Sequence, residues 1–126
     1  MQKIRFGVVG TNFITDWVIE GGREDKRFEL SAVYSRSEDT ARSFAAKHAI
    51  PHIFTSLEEM AASPLIDAVY LASPNAFHAT QSILCMQHGK HVLCEKALAS
   101  NAREVKQMIE TARRHHVVLM EAMKPT

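Results

Sequence analysis

Short apolar runs rich in β-branched residues alternate along this chain with stretches in which apolar residues return every third or fourth position. Ile4 to Val9, Phe28 to Tyr34, Ala68 to Ala72, His91 to Cys94 and Val117 to Met120 read as strands, with a shorter one at His52 to Phe54. The segments between them carry helix start and stop signals. Ser56 followed by Glu59, and Asn101 followed by Glu104, are capping boxes, in which the first side chain accepts from the backbone three residues on. Val105, Met108, Ile109 and Ala112 then fall on one stripe expected to be buried. Ser37 is placed to cap a helix with Ala41, Phe44 and Ala45 on its apolar face, and Gly89 to stop a helix opened near Asn75. Met108, Met120 and Phe44 are expected in the core.

Strands and helices alternating this closely predict an α/β fold: a doubly wound parallel sheet of about six strands with helices on both faces, because each crossover must return to the sheet in a right-handed sense. No repeat, low-complexity tract or linker divides the 126 residues, so one domain spanning 1–126 is expected. The 15 Lys and Arg nearly balance the 14 Asp and Glu, which argues against a nucleic-acid partner. The polar, basic start and the glycines within the first apolar run fit neither a signal peptide nor a membrane span, so a soluble cytoplasmic protein is expected, with no membrane partner. Cys85 and Cys94 read as reduced core thiols. None of the histidines has an acidic or cysteine partner at metal-ligand spacing, and no metal is expected.

The chemistry begins at FGVVGTNFIT, residues 6 to 15. Gly10 occupies the first position of a G-x-G-x-x-G phosphate loop, while Asn12 and Thr15 stand where further small residues are usual. The loop falls between the first strand and the next helical segment, where free N–H groups and the helix dipole attract a phosphate. Asn enters left-handed backbone conformations more readily than most residues, and its carboxamide can donate to a phosphate oxygen. We read the loop as a working variant.

At the end of the second strand, VYSRS places Ser35, Arg36 and Ser37 where NAD-selective domains usually carry Asp or Glu for the ribose hydroxyls. Arg36 has the donor fork suited to a 2′-phosphate, and the first acidic residue is Glu38. NADP is therefore favoured, with NAD as the alternative.

LASPNAFHA (residues 71 to 79) and GKHVLCEKALASNAREV (residues 89 to 105) complete the pattern. With the loop, the SRS turn and the SLEEM helix start, they resemble the N-terminal domain of the glucose–fructose oxidoreductase / inositol dehydrogenase / rhizopine-catabolism (Gfo/Idh/MocA) family. That resemblance covers essentially the whole chain. It implies an NAD(P)-dependent oxidoreductase acting on CH–OH groups of sugars, polyols and their derivatives. It also implies a homo-oligomer for the full-length protein. Carried over by motif, Gly10, Thr11, Asn12, Phe13 and Ile14 line the pyrophosphate, and Ser35 and Arg36 the adenosine ribose. Ser73, Pro74, Asn75 and His78 follow the cofactor, while Glu95 and Lys96 lie near the nicotinamide.

Lys96 has a physical case of its own as the catalytic residue. Exchange of hydride between an alcohol and a carbonyl requires a proton to move at the substrate oxygen, and a partly desolvated lysine beside a cationic ring can supply or take it. Ala97 stands where the family has proline, so a rigid or cis backbone after Lys96 is not implied. The chain stops shortly after its sixth strand, so the family's C-terminal substrate domain, with most of the substrate pocket, is expected outside it. A non-catalytic nucleotide-sensing or regulatory module is the alternative function.

Overall fold

The computed structural model describes residues 4–9, 28–71, 78–95 and 102–122. Its strands are β1 (Ile4–Val9), β2 (Phe28–Tyr34), β3 (His52–Phe54), β4 (Ala68–Leu71), β5 (His91–Glu95) and β6 (Leu119–Ala122). The described helices are α1 (Glu38–His48), α2 (Leu57–Ala62), α3 (His78–Gln87) and α4 (Ala102–Arg114). All pairings are parallel, in the order β3-β2-β1-β4-β5-β6. The expected doubly wound sheet is thus present, and its strand order reverses between β1 and β4.

Register assigns each side chain to a face. Gly7, Val9, Ala32, Val69, Leu71, Val92 and Cys94 share one face. The apolar members of that set join Met60 and Ala61 of α2, Cys85 and Met86 of α3, and Met108 and Ala112 of α4 in one core. Val8, Val33 and Tyr70 point to the other face, where they pack with Phe44 and Ala45 of α1 and with Ile50. Helices cover both faces.

Gly7 is required by this packing. A Cβ there would stand 3.0 Å from Met60 Sδ and 3.1 Å from Ile66 Cδ1, so the side-chain tips of α2 and the turn after it pack directly on the strand backbone. The β1–β2 register also shifts between Phe6 and Gly7.

The helix ends follow the expected chemistry. Ser37 Oγ accepts from the Thr40 N–H, and Ser56 Oγ from the Glu59 N–H, each at 3.3 Å. Gly89, at φ 81°, closes α3 by donating its N–H to the Met86 carbonyl at 3.0 Å. Asn101 and Asn75 lie outside the described residues, although α4 does begin at the residue after Asn101.

Four expectations are corrected. β5 runs one residue further, to Glu95, and β6 starts two residues later than the apolar pattern suggests. The Val117 N–H is still bonded to the Ala112 carbonyl at the end of α4, and His116 turns the chain at φ 55°, so the strand cannot begin there. Ile109 is 46% exposed. It sits about 100° around the helix from Met108, at the rim of the buried stripe rather than within it. Met120 is 57% exposed: its strand neighbour Leu119 turns toward the helix-covered core, which leaves Met120 on the opposite face of an edge strand.

Both cysteines are buried thiols outside any disulfide, as expected, and burial pushes the Cys85 thiol up to about 12. Among the described residues no helix is long and apolar enough to cross a membrane.

Candidate functional site

In a parallel sheet every strand ends on the same side, and a ligand binds outside those ends where the order reverses. Here that point lies beyond Val9 of β1 and Leu71 of β4, which are register partners. Gly10, Thr11, Asn12, Phe13 and Ile14 follow β1 in sequence, and Ser73, Pro74 and Asn75 follow β4. All eight lie outside the described residues. So do Lys96 and Ala97, which follow β5, while the backbones of His78 and Glu95 fall in the first position of α3 and the last of β5.

The best-defined part of the site is the turn after β2. The Ser35 N–H donates to the Phe54 carbonyl at 3.1 Å and carries the β2–β3 pairing one residue past the strand. Ser35 Oγ accepts from the Ser37 N–H at 3.3 Å, and Ser37 Oγ caps α1. Each hydroxyl oxygen thus accepts from a backbone N–H, and each serine also carries one O–H donor. Arg36, between these two serines in sequence, is exposed, and no carboxylate among the described residues pairs with it. Glu38, the first acidic residue of α1, is engaged elsewhere: its Oε1 accepts from Arg42 Nη2 at 3.0 Å. Sequence reading identified Ser35 and Arg36. It placed Ser37 beside them, but did not use Arg42, although Glu followed four residues later by Arg is a recognisable helical pair.

A different set of polar contacts ties the opposite, N-terminal end of the sheet. Asp67, just before β4, accepts from the Arg5 backbone N–H at 2.9 Å, from Nε at 3.1 Å and from Nη2 at 3.0 Å. The Arg5 guanidinium and backbone N–H hold the Asp67 carboxyl below the usual carboxylate range, with Lys90 assisting and partial burial opposing. His91 Nδ1 accepts from the Val118 N–H at 2.9 Å and links β5 to the entry of β6. The Arg5–Asp67 contacts tie β1 to the entry of β4, the two strands that flank the reversal, and the His91 contact ties β5 to β6 at the same N-terminal end. No sequence signal marks the Arg5–Asp67 pair, whose members are 62 residues apart. Among the described residues no cluster of His, Cys, Asp and Glu is arranged to hold a metal ion.

A parallel sheet in this order, with its reversal at β1 and β4 and a capped Ser-Arg-Ser turn after β2, is a Rossmann domain of the dinucleotide-binding class. The chain belongs to the Gfo/Idh/MocA oxidoreductase family with NAD-binding Rossmann fold, whose pattern it matches over residues 4–123. It is 57% identical over 123 residues to the scyllo-inositol 2-dehydrogenase (NADP(+)) IolU of Bacillus subtilis, a match covering 98% of this chain and 38% of that protein. A crystal structure of an NAD binding oxidoreductase from Klebsiella pneumoniae superposes with a TM-score of 0.90 at 30% identity, over 95% of this chain and 34% of that one. The WlbA dehydrogenase from Bordetella pertussis, in complex with NADH and UDP-GlcNAcA, superposes with a TM-score of 0.90 at 30% identity, over 96% of this chain and 35% of that one. The chain thus spans little more than a third of the length of these relatives.

Proposed function

We propose that this chain is the nucleotide-binding part of an NADP(H)-dependent oxidoreductase acting on CH–OH groups of a sugar, polyol or related compound. The observation that carries the cofactor choice is the turn after β2, where Arg36, paired with no carboxylate among the described residues, lies in sequence between two serines whose hydroxyl oxygens each accept from a backbone N–H. A 2′-phosphate fits that donor set, whereas ribose hydroxyls alone leave Arg36 without an anionic partner. The likeness to an NADP(+)-dependent inositol dehydrogenase supports both the cofactor and a polyol-like substrate.

In this reading Gly10, Thr11, Asn12, Phe13 and Ile14 hold the pyrophosphate, and Ser35 and Arg36 hold the adenosine ribose and its phosphate. Ser73, Pro74, Asn75 and His78 follow the cofactor from β4 toward the nicotinamide. NADP(H), when bound, supplies or accepts the hydride. Lys96, the residue after β5, gives the proton to the substrate oxygen in reduction and takes it in oxidation, while Glu95 orients the nicotinamide ribose or the lysine. The rest of the substrate pocket belongs to a C-terminal domain beyond this chain, and the whole protein is a cytoplasmic homo-oligomer.

Calorimetric titration with NADPH and NADH tests the first step. NADPH should bind more tightly, and Arg36→Ala should remove that preference while leaving NADH affinity nearly unchanged. Equal affinities in the unaltered chain would sink the phosphate assignment. In the enzyme, Lys96→Met should lower turnover by about 10²–10⁴-fold with little change in NADPH affinity. A variant that turns over at the normal rate would remove Lys96 from the chemistry.

A further inference from the structure

The turn after β2 contains a conflict that the helix resolves. A site that binds the doubly charged 2′-phosphate gains from Arg36, yet the first residue of the adjoining helix is Glu38, two positions along the chain. The helix N-terminus favours an acidic residue there on dipole grounds, so Glu38 suits the helix and opposes the phosphate. The carboxylate is also chemically able to take the Arg36 guanidinium for itself, which would close the site to an anion.

In the structure it does not take the Arg36 guanidinium. Glu38 Oε1 is held by Arg42 Nη2 at 3.0 Å, one helical turn away from the loop, and no ion pair joins Glu38 to Arg36. Asp39, the other acidic residue of the first turn, is exposed and likewise forms no pair with Arg36.

We propose that Arg42 is a specificity-determining positioning residue: by holding Glu38 back along α1 it keeps the Arg36 guanidinium open and the turn selective for the 2′-phosphate of NADP(H). Arg42 acts through Glu38 and needs no contact with the nucleotide. This rests on the assignment of the Ser35–Arg36–Ser37 turn as the phosphate site. Ion pairs of this exposed kind contribute little to stability, so the pair's effect should appear in cofactor choice rather than in melting temperature.

The test is a double-mutant cycle on this chain, reading the ratio of NADH to NADPH dissociation constants by calorimetry at low salt. Arg42→Ala should lower the ratio about threefold, an effect of exposed charges within a Debye length, and high salt should erase it. Glu38→Gln alone should leave the ratio nearly unchanged, because its charge is already offset. The double variant Arg42→Ala, Glu38→Gln should restore the unaltered ratio, and Arg42→Lys should retain most of it. If Arg42→Ala lowers the ratio equally with and without Glu38, Arg42 attracts the phosphate directly and the positioning role is overturned. No change on Arg42→Ala overturns it as well. Arg36→Ala separates the two levels: if it collapses the ratio while Arg42→Ala does not, only the present inference fails. If Arg36→Ala leaves the ratio intact, or the chain binds neither nucleotide, the phosphate site itself fails and this inference with it.

Discussion

The two faces of the sheet have the same strands and the same alternation, yet they are covered differently. On the face that carries Gly7, Val9, Ala32, Val69, Leu71, Val92 and Cys94, three helices close over the sheet and bury Met60, Met86 and Met108 completely. On the other, among the described residues, α1 packs beside β2 and β3; Val8, Val33 and Tyr70 are buried, and burial declines toward β5 and β6. Leu93 is only half-buried there, its register partner Met120 is 57% exposed, and Val118, just before β6, is 52% exposed. Apolar character selects residues that are able to be buried. What lies above the sheet decides which of them are.

The largest contrast should come from the closed face. Met86, in the last turn of α3, is fully buried, and truncating it removes side-chain volume from the layer between helix and sheet. Met86→Ala should cost about 2–5 kcal/mol in chemical denaturation. A cost under about 1 kcal/mol would mean that this face repacks easily and is not the rigid layer described.

Overpacking the same face should cost less. Gly7→Ala places a Cβ 3.0 Å from Met60 Sδ and 3.2 Å from Met60 Cε, so the fully buried Met60 side chain must shift to admit it. A loss of about 1–3 kcal/mol is expected. The double variant Gly7→Ala, Met60→Leu should recover part of that loss; no recovery would locate the strain in the Gly7 backbone instead.

One change on the closed face should be favourable. Ser82, in α3, is fully buried and its hydroxyl has no hydrogen-bond partner among the described residues. Ser82→Ala removes an unsatisfied polar group and substitutes a better helix former, so a gain of about 1 kcal/mol is expected. A loss of similar size would reveal a partner for the hydroxyl and a hydrated spot within the core.

The Arg5–Asp67 pair crosses from β1 to the entry of β4 and is indifferent to the faces, which makes it a control for them. Because the carboxyl is held below its ordinary range in the folded chain, its contribution is present above about pH 4, the unfolded carboxylate value, and is lost as pH falls through the folded one. Asp67→Asn should lower stability at pH 7, and the gap to the unaltered protein should narrow below about pH 4. With about two-fifths of each side chain exposed, solvent screens the pair and the loss should fall below either destabilising core change. A gap that persisted unchanged at pH 3 would assign the loss to packing rather than charge.

Much of this arrangement was legible in the sequence, for reasons that also mark where legibility stops. Strand and helix existence followed from local spacing, and the Ser37 and Ser56 caps from chemistry acting over three residues. The turn after β2 was legible as a candidate site because Ser35, Arg36 and Ser37 are contiguous. What could not be read locally was contact across the chain: Asp67 with Arg5, the His91 nitrogen with the Val118 N–H, and the approach of Met60 to Gly7. A glycine inside a strand does signal close backbone approach, but not which residue approaches. The start of β6 was misplaced because Val117 is apolar like a strand residue while its N–H still belongs to the preceding helix.

The smallest predicted effect tests the comparison most directly. Leu119 and Met120 are sequence neighbours of similar hydrophobicity, and a linear reading assigns both to the core. Register sends Leu119 to the closed face and Met120 to the open one. Met120→Thr preserves β propensity and removes apolar surface that is mostly in water already, so this chain should lose no more than about 0.5 kcal/mol. Leu119→Ala, one residue away, should lose clearly more, because Leu119 packs against the core. If the two changes cost the same, the difference between the faces at β6 does not hold in solution and something covers Met120. If Met120→Thr also raises solubility in concentrated samples, the open end of this face is a sticky surface in the isolated chain, as contiguous exposed apolar side chains tend to be.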